Sequence, residues 1–150
     1  MQPQADSSLT QLWHATSVSL GERAVVITGA SGSGKSALAL QLMALGCGLI
    51  SDDQTYLTNV DRVVWAQKPK KLPSKIEARF VGLIDVKTAS AARVALVVDM
   101  DQKETARFPE VRKTQIFEQD ITILRKVDAT YFPAAILQYL KAMNDDALGR

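Results

Sequence analysis

The eight residues GASGSGKS at positions 29–36 constrain this chain more than any other stretch. They satisfy the pattern G-x-x-x-x-G-K-[ST], and their neighbours decide what the pattern means. Upstream, AVVIT (24–28) is an uninterrupted, largely β-branched apolar run that suits a strand covered on both faces. Downstream, residues 36–46 carry apolar side chains at helical spacing and end on Gly46, which predicts a helix closed by a glycine cap. Between the two, Gly29, Gly32 and Gly34 let the backbone turn so that the N–H groups of the loop, which also contains Ala30, Ser31 and Ser33, converge on an anion. The helix start adds its positive end. Lys35 is placed to reach β- and γ-phosphates, and the Ser36 hydroxyl to ligate Mg²⁺. A chance glycine–serine turn needs neither the strand before it nor the helix after it. The motif therefore predicts a nucleotide-binding protein, with ATP or GTP and Mg²⁺ as the expected ligands.

The rest of the chain limits which fold can hold this loop. GLIS (48–51) is a second short apolar strand stopped by Asp52 and Asp53, which completes a βαβ unit with parallel strands. Beyond it the sequence turns strand-rich. Residues 12–21 read as a strand and turn before the βαβ unit; 54–60 and 62–67 read as a hairpin around Asn59–Asp61. Residues 92–100 read as a strong strand, and 114–127 alternate as two strands would. Residues 132–145 close the chain as a helix with Pro133 in its first turn. The expected fold is α/β, a P-loop core on a mixed β-sheet. The expected organisation is a loose N-terminal tail over 1–11 and one domain over 12–150.

Composition narrows the partners. A net charge of +2 is too small to argue for nucleic acid or an anionic membrane. QKPKKLPSK (67–75) is the one dense basic patch; its two prolines make it a loop, read as solvated first and as a dock for an acidic partner second. The single cysteine, Cys47, allows no internal disulfide and sits in an apolar run where it acts as a small buried hydrophobe. The start MQPQADSS has no apolar signal-peptide segment, and no run reaches the ~18 apolar residues needed to span a bilayer. A cytoplasmic protein is the expectation.

Among small P-loop proteins, a GTPase would carry a base-reading [NT]-K-x-D motif, and none is present. A nucleoside kinase would need alternating helices in the second half, where strands dominate. Asp52 and Asp53 end the strand that follows the P-loop helix. A carboxylate there can take a proton from an attacking hydroxyl or hold Mg²⁺; equally, aspartates are common in turns. KIEARFVGLIDV (75–86) gathers Glu77, Arg79 and Asp85 around a glycine and is by itself a weak signal.

Taken in order, GASGSGKSALALQLMALGCGLISDD and IEARFVGLIDV resemble the catalytic domain of the HPr kinase/phosphorylase family. That family pairs a G-x-S-G-x-G-K-S loop with an A-D-D or S-D-D strand end and an L-E-x-R-G-x-G-[IL]-[IL]-D-V signature; His14 lies where the family has a histidine before the P-loop strand. The resemblance spans about residues 12–127. It implies a fold related to phosphoenolpyruvate carboxykinase. The implied activity is ATP-dependent phosphorylation of a serine of HPr, the phosphocarrier of the sugar phosphotransferase system, in a typically hexameric assembly. It further implies Lys35 on the β- and γ-phosphates, Ser36 and Glu77 on Mg²⁺ with Asp53 supporting the metal, and Asp52 as general base. His14 would sit near the phosphoryl site, and Arg107 would stabilise the transferring phosphoryl group.

The chain also departs from the family. It starts close to the catalytic domain, as the short alphaproteobacterial form does. KTASAAR (87–93) stands where a glycine-rich mobile loop is usual. LRKVDATYF (124–132) lacks the Gly-Arg of a segment tied to the reverse reaction, and Phe80 replaces the glycine after the signature arginine. These changes favour the kinase direction over the phosphorylase direction. A small-molecule kinase on the same core, or an ATP-binding regulator without transferase activity, are the competing readings.

Overall fold

The computed structural model describes residues 9–144. The elements are β1 (Thr10–Trp13), β2 (Ala15–Leu20), β3 (Arg23–Thr28), α1 (Lys35–Ala44), β4 (Gly48–Ser51), β5 (Thr55–Val60), β6 (Val63–Gln67), β7 (Lys75–Ala78), β8 (Gly82–Asp85), β9 (Ala92–Lys103), β10 (Arg112–Ile116), β11 (Gln119–Lys126) and α2 (Phe132–Ala142). Nine strands form one mixed sheet in the order β1-β5-β6-β9-β3-β2-β4, with β11 also paired to β9 and β10 paired to β11; β7 and β8 form a separate hairpin. The mixed α/β class matches the expectation.

The apolar run of β9 explains its central place. Its first residues pair with β6, and its middle pairs in parallel with both β3 and β11. A strand covered on both faces must be apolar on both, and Val94 to Val98 are all buried. Alternation along β3 divides the core in two. Val25 and Ile27 face the helices with Leu38, Leu42, Ile136 and Leu140, while Ala24 and Val26 face the opposite layer with Leu57, Ala66, Val97 and Ile121. Helix α1 ends in a Schellman motif: Cys47 N–H donates to Leu42 O and Gly46 N–H to Met43 O, with Gly46 at φ 115°. Helix α2 is fastened at its far end by Arg23 Nη1, which donates to Leu140 O at 2.6 Å.

Three features depart from the expectation. Strands β3 and β4 do run the same way, but β2 is inserted between them and pairs antiparallel with both. Strand β1 begins at Thr10 and pairs with β5, so part of the stretch read as a tail is sheet; residues 1–8 lie outside the described residues. Helix α2 stops at Ala142, short of the expected Asp145, which also lies outside them. The 54–67 hairpin is present, with Asp61 and Arg62 both in the left-handed region as a two-residue turn requires. No helix among the described residues is long and apolar enough to cross a membrane.

Candidate phosphate-binding site

The loop at 29–36 leaves the C-terminal end of β3 and enters α1 at Lys35. Gly34 is the N-cap at φ 102°, and Gly29, at φ 147°, has a backbone conformation that suits glycine and sits where a Cβ would come within 3.1 Å of Met100 Cβ. Lys35 is buried; its ammonium donates to Gly29 O at 2.8 Å and Ala30 O at 3.1 Å, which holds it against the loop. The other end of the loop is tied by Asp101, whose carboxylate accepts from Ala30 N–H at 3.0 and 3.2 Å. Asp101 sits near the end of β9, the parallel neighbour of β3. A D-x-D ending a strong strand was visible in the sequence, but nothing there said that this strand adjoins the loop.

The two aspartates after β4 occupy different surroundings. Asp52 Oδ1 accepts from Ser36 Oγ at 2.7 Å and Thr16 Oγ1 at 3.0 Å, while Oδ2 accepts from Glu77 N–H at 3.1 Å. One carboxylate thus joins α1, β2 and β7. Asp53 adopts φ 69°, lines the open cavity, and accepts from His14 Nε2 at 2.6 Å. Thr16 Oγ1, which no sequence signal marked, accepts from the Asp53 backbone N–H at 3.1 Å and so ties the Asp53 main chain as well as the Asp52 carboxylate.

Ser31, Gly32, Lys35, Ser36, Asp53 and Glu77 form the polar side of a cavity of about 560 Å³, and Asp52 and His14 join it through their hydrogen bonds to Ser36 and Asp53. That size accommodates a nucleotide-sized ligand. His14, Lys35, Ser36, Asp52, Asp53 and Glu77, dispersed over the sequence, are brought together. Arg107 is not: it lies in the loop between β9 and β10 with its guanidinium 5.3 Å from the centre of the Phe108 ring, and it is not among the residues lining the cavity. Arg79, given no role from sequence, does line it.

The donor set fits Mg²⁺. A hard hydroxyl and a hard carboxylate oxygen stand 2.7 Å apart at the helix start, with Asp53 and Glu77 on the same cavity. Among the described residues no group of three or more His, Cys, Asp or Glu is gathered to hold a metal by itself.

A strand–loop–helix cradle at the C-terminal end of an interior strand of a mixed sheet, faced by paired carboxylates, has the form of a P-loop α/β protein. The particular family follows from comparison: residues 6–126 match the HPr Serine kinase C-terminal domain, and the chain belongs to that family. It is 36% identical over 89 residues to an HPr kinase/phosphorylase of Verminephrobacter eiseniae, covering 54% of this chain and 28% of that protein. With the HPr kinase/phosphorylase of Aromatoleum aromaticum it shares 35% identity over 104 residues, 61% of this chain and 33% of that protein. The chain thus spans about a third or less of the curated relatives it matches. The structure of the Hpr(Ser) kinase/phosphatase from Coxiella burnetii superposes with a TM-score of 0.74 at 22% identity, over 87% of this chain and 88% of that one, and has the same fold.

Proposed function

We propose that this chain is an ATP-dependent protein kinase that phosphorylates a serine of HPr. The observation that carries the reading is the convergence of the Lys35–Ser36 loop, Asp53 and Glu77 on one cavity, with Asp52 bonded to Ser36 and His14 to Asp53, in a chain of this family. The loop N–H groups and Lys35 would hold the phosphates of ATP, and Mg²⁺ bound beside Ser36 would offset their charge.

The surroundings of the aspartates favour a different division of labour from the one the sequence suggested. Asp52 already has both oxygens committed at the P-loop serine and β7, which suits the metal side of the site. Asp53 faces the cavity, and the His14 hydrogen bond orients its carboxylate. Asp53 is the better placed proton acceptor for an incoming serine hydroxyl, with His14 positioning it. Asp52 and Glu77 then belong to the metal side. Arg107 has no such support. Arg79, unlike Arg107, lines the cavity.

The reverse reaction is proposed to be weak. Within residues 87–93, where the family has a mobile loop, Thr88 and Ala89 are tied to β4: Ala89 N–H donates to Leu49 O at 2.6 Å, and Thr88 forms a bridge with Leu49. The test is to incubate the protein with γ-labelled ATP, Mg²⁺ and HPr. Label on an HPr serine supports the reading; ATP binding with no label on HPr overturns it in favour of a regulator or small-molecule kinase. Supplying phosphoserine-HPr with inorganic phosphate and measuring pyrophosphate tests the reverse direction, and release at the kinase rate would contradict the strapped-loop argument.

A further inference from the structure

The cavity does not end at its polar side. Beyond Ser36 its lining changes character, to Ala37 and Leu40 on α1 and Ala78, Arg79 and Val81 on the β7–β8 hairpin. Leu40 is half-buried. Val81 is 77% exposed although it borders the cavity, and Phe80 beside it is fully exposed at φ 70°. Exposed apolar side chains gathered at the rim of a polar cavity point to a ligand that covers them.

The order of groups along the cavity says which part of a ligand that is. Lys35 serves the β- and γ-phosphates, so the α-phosphate lies toward the start of α1. From Ser36 to Leu40 the helix advances by ~6 Å. A triphosphate seated on the loop therefore directs its sugar and base past Ala37 toward Leu40 and the hairpin. There the wall is apolar, with one guanidinium able to lie flat against a ring or reach a phosphate oxygen.

The geometry points to a base subsite: Leu40 and Ala37 form one wall, Ala78 and Val81 the other, and Arg79 closes it. This rests on the phosphate-cradle reading and goes beyond it, because it assigns the recognition of the nucleoside end, which the G-x-x-x-x-G-K-S motif does not provide. It also gives the β7–β8 hairpin two tasks. Its β7 strand carries Glu77 to the metal side, and its tip forms the wall against the base.

The experiment compares Mg·ATP with Mg·tripolyphosphate, which carries the same phosphates and no nucleoside, by calorimetry on the full chain. Wild type binds ATP more tightly than tripolyphosphate. Val81→Ser and Leu40→Ala each weaken ATP by roughly tenfold, the scale set by removing apolar contact in a binding pocket, and leave tripolyphosphate unchanged. The unchanged tripolyphosphate affinity also shows that the variants are folded. Equal affinity of wild type for the two ligands, or an equal loss for both in the variants, overturns the base subsite while leaving the cradle intact. Variants that bind ATP normally but no longer phosphorylate HPr would assign the apolar wall to the acceptor protein and overturn the inference. Wild type that binds neither ligand removes the cradle reading, and this inference with it.

Discussion

At Asp53 the carboxylate meets His14 and the open cavity, whereas the carboxylate of its neighbour Asp52 is fully engaged with Ser36, Thr16 and the Glu77 N–H. Substitution should separate the two. Asp53→Asn keeps the shape and removes the basicity, so phosphoryl transfer should fall by about 10²–10⁴-fold while ATP affinity survives. Measured full activity in that variant would return the base role to Asp52. Asp52→Asn places an amide N–H against either the Ser36 hydroxyl or the Glu77 N–H, and should instead weaken the Mg²⁺ dependence of ATP binding, read by calorimetry with and without the metal. Cys47 provides a separate check. Burial pushes its thiol up to about 11, with Lys141 opposing only in part, so the reactive thiolate is scarce near neutral pH. Alkylation at pH 8 should be slow in the folded protein and rise sharply on unfolding; fast labelling of the native chain would contradict the buried placement.

Among the elements, α1 joins the core to the cradle, because Leu38 and Leu42 anchor the helix whose start carries Lys35 and Ser36. Leu42 is completely buried, and Leu42→Ala should cost roughly 2–5 kcal/mol by denaturant unfolding. ATP should recover part of the loss, because a ligand that binds only the folded state stabilises it. Local elements were legible where local chemistry decides them. The β-branched run of β3, the glycine cap of α1 and Pro133 at the head of α2 each announce their structure within a few residues, and the 54–67 hairpin does too, although its turn falls at Asp61–Arg62 rather than around Asn59–Asp61. The insertion of β2 between β3 and β4 was not read: its pairing with β3 is a local hairpin turning at Gly21–Glu22, but its pairing with β4 joins residues far apart in sequence that no local pattern encodes. The same reason hid the environments of Asp52 and Asp53. They are adjacent on the chain, and only the positions of His14, Thr16 and Glu77 tell them apart. The hairpin at 75–85 had a weak signature because its exposed apolar residues follow no burial alternation.

For the whole molecule, one sheet separates two apolar layers that share β3 and β9, so neither layer can lose its packing alone. Leu57→Ala in one layer and Leu140→Ala in the other should each lower the midpoint of a single unfolding transition followed by far- and near-ultraviolet circular dichroism. Two separated transitions would show that the layers are independent. The inserted strand β2 has a last consequence, one of spacing. Hydrogen-bonded neighbours in a sheet lie ≈ 4.8 Å apart, so β3 and β4, with β2 between them, end roughly 10 Å from each other. The loop grows from one of these ends and the aspartates from the other, while His14 immediately precedes the strand between them. Were β3 and β4 direct neighbours, the loop and the carboxylates would crowd a single strand's width. With β2 in place, the backbone sets the loop and the aspartate pair two strand spacings apart, and the Asp52 side chain reaches back across that gap to Ser36.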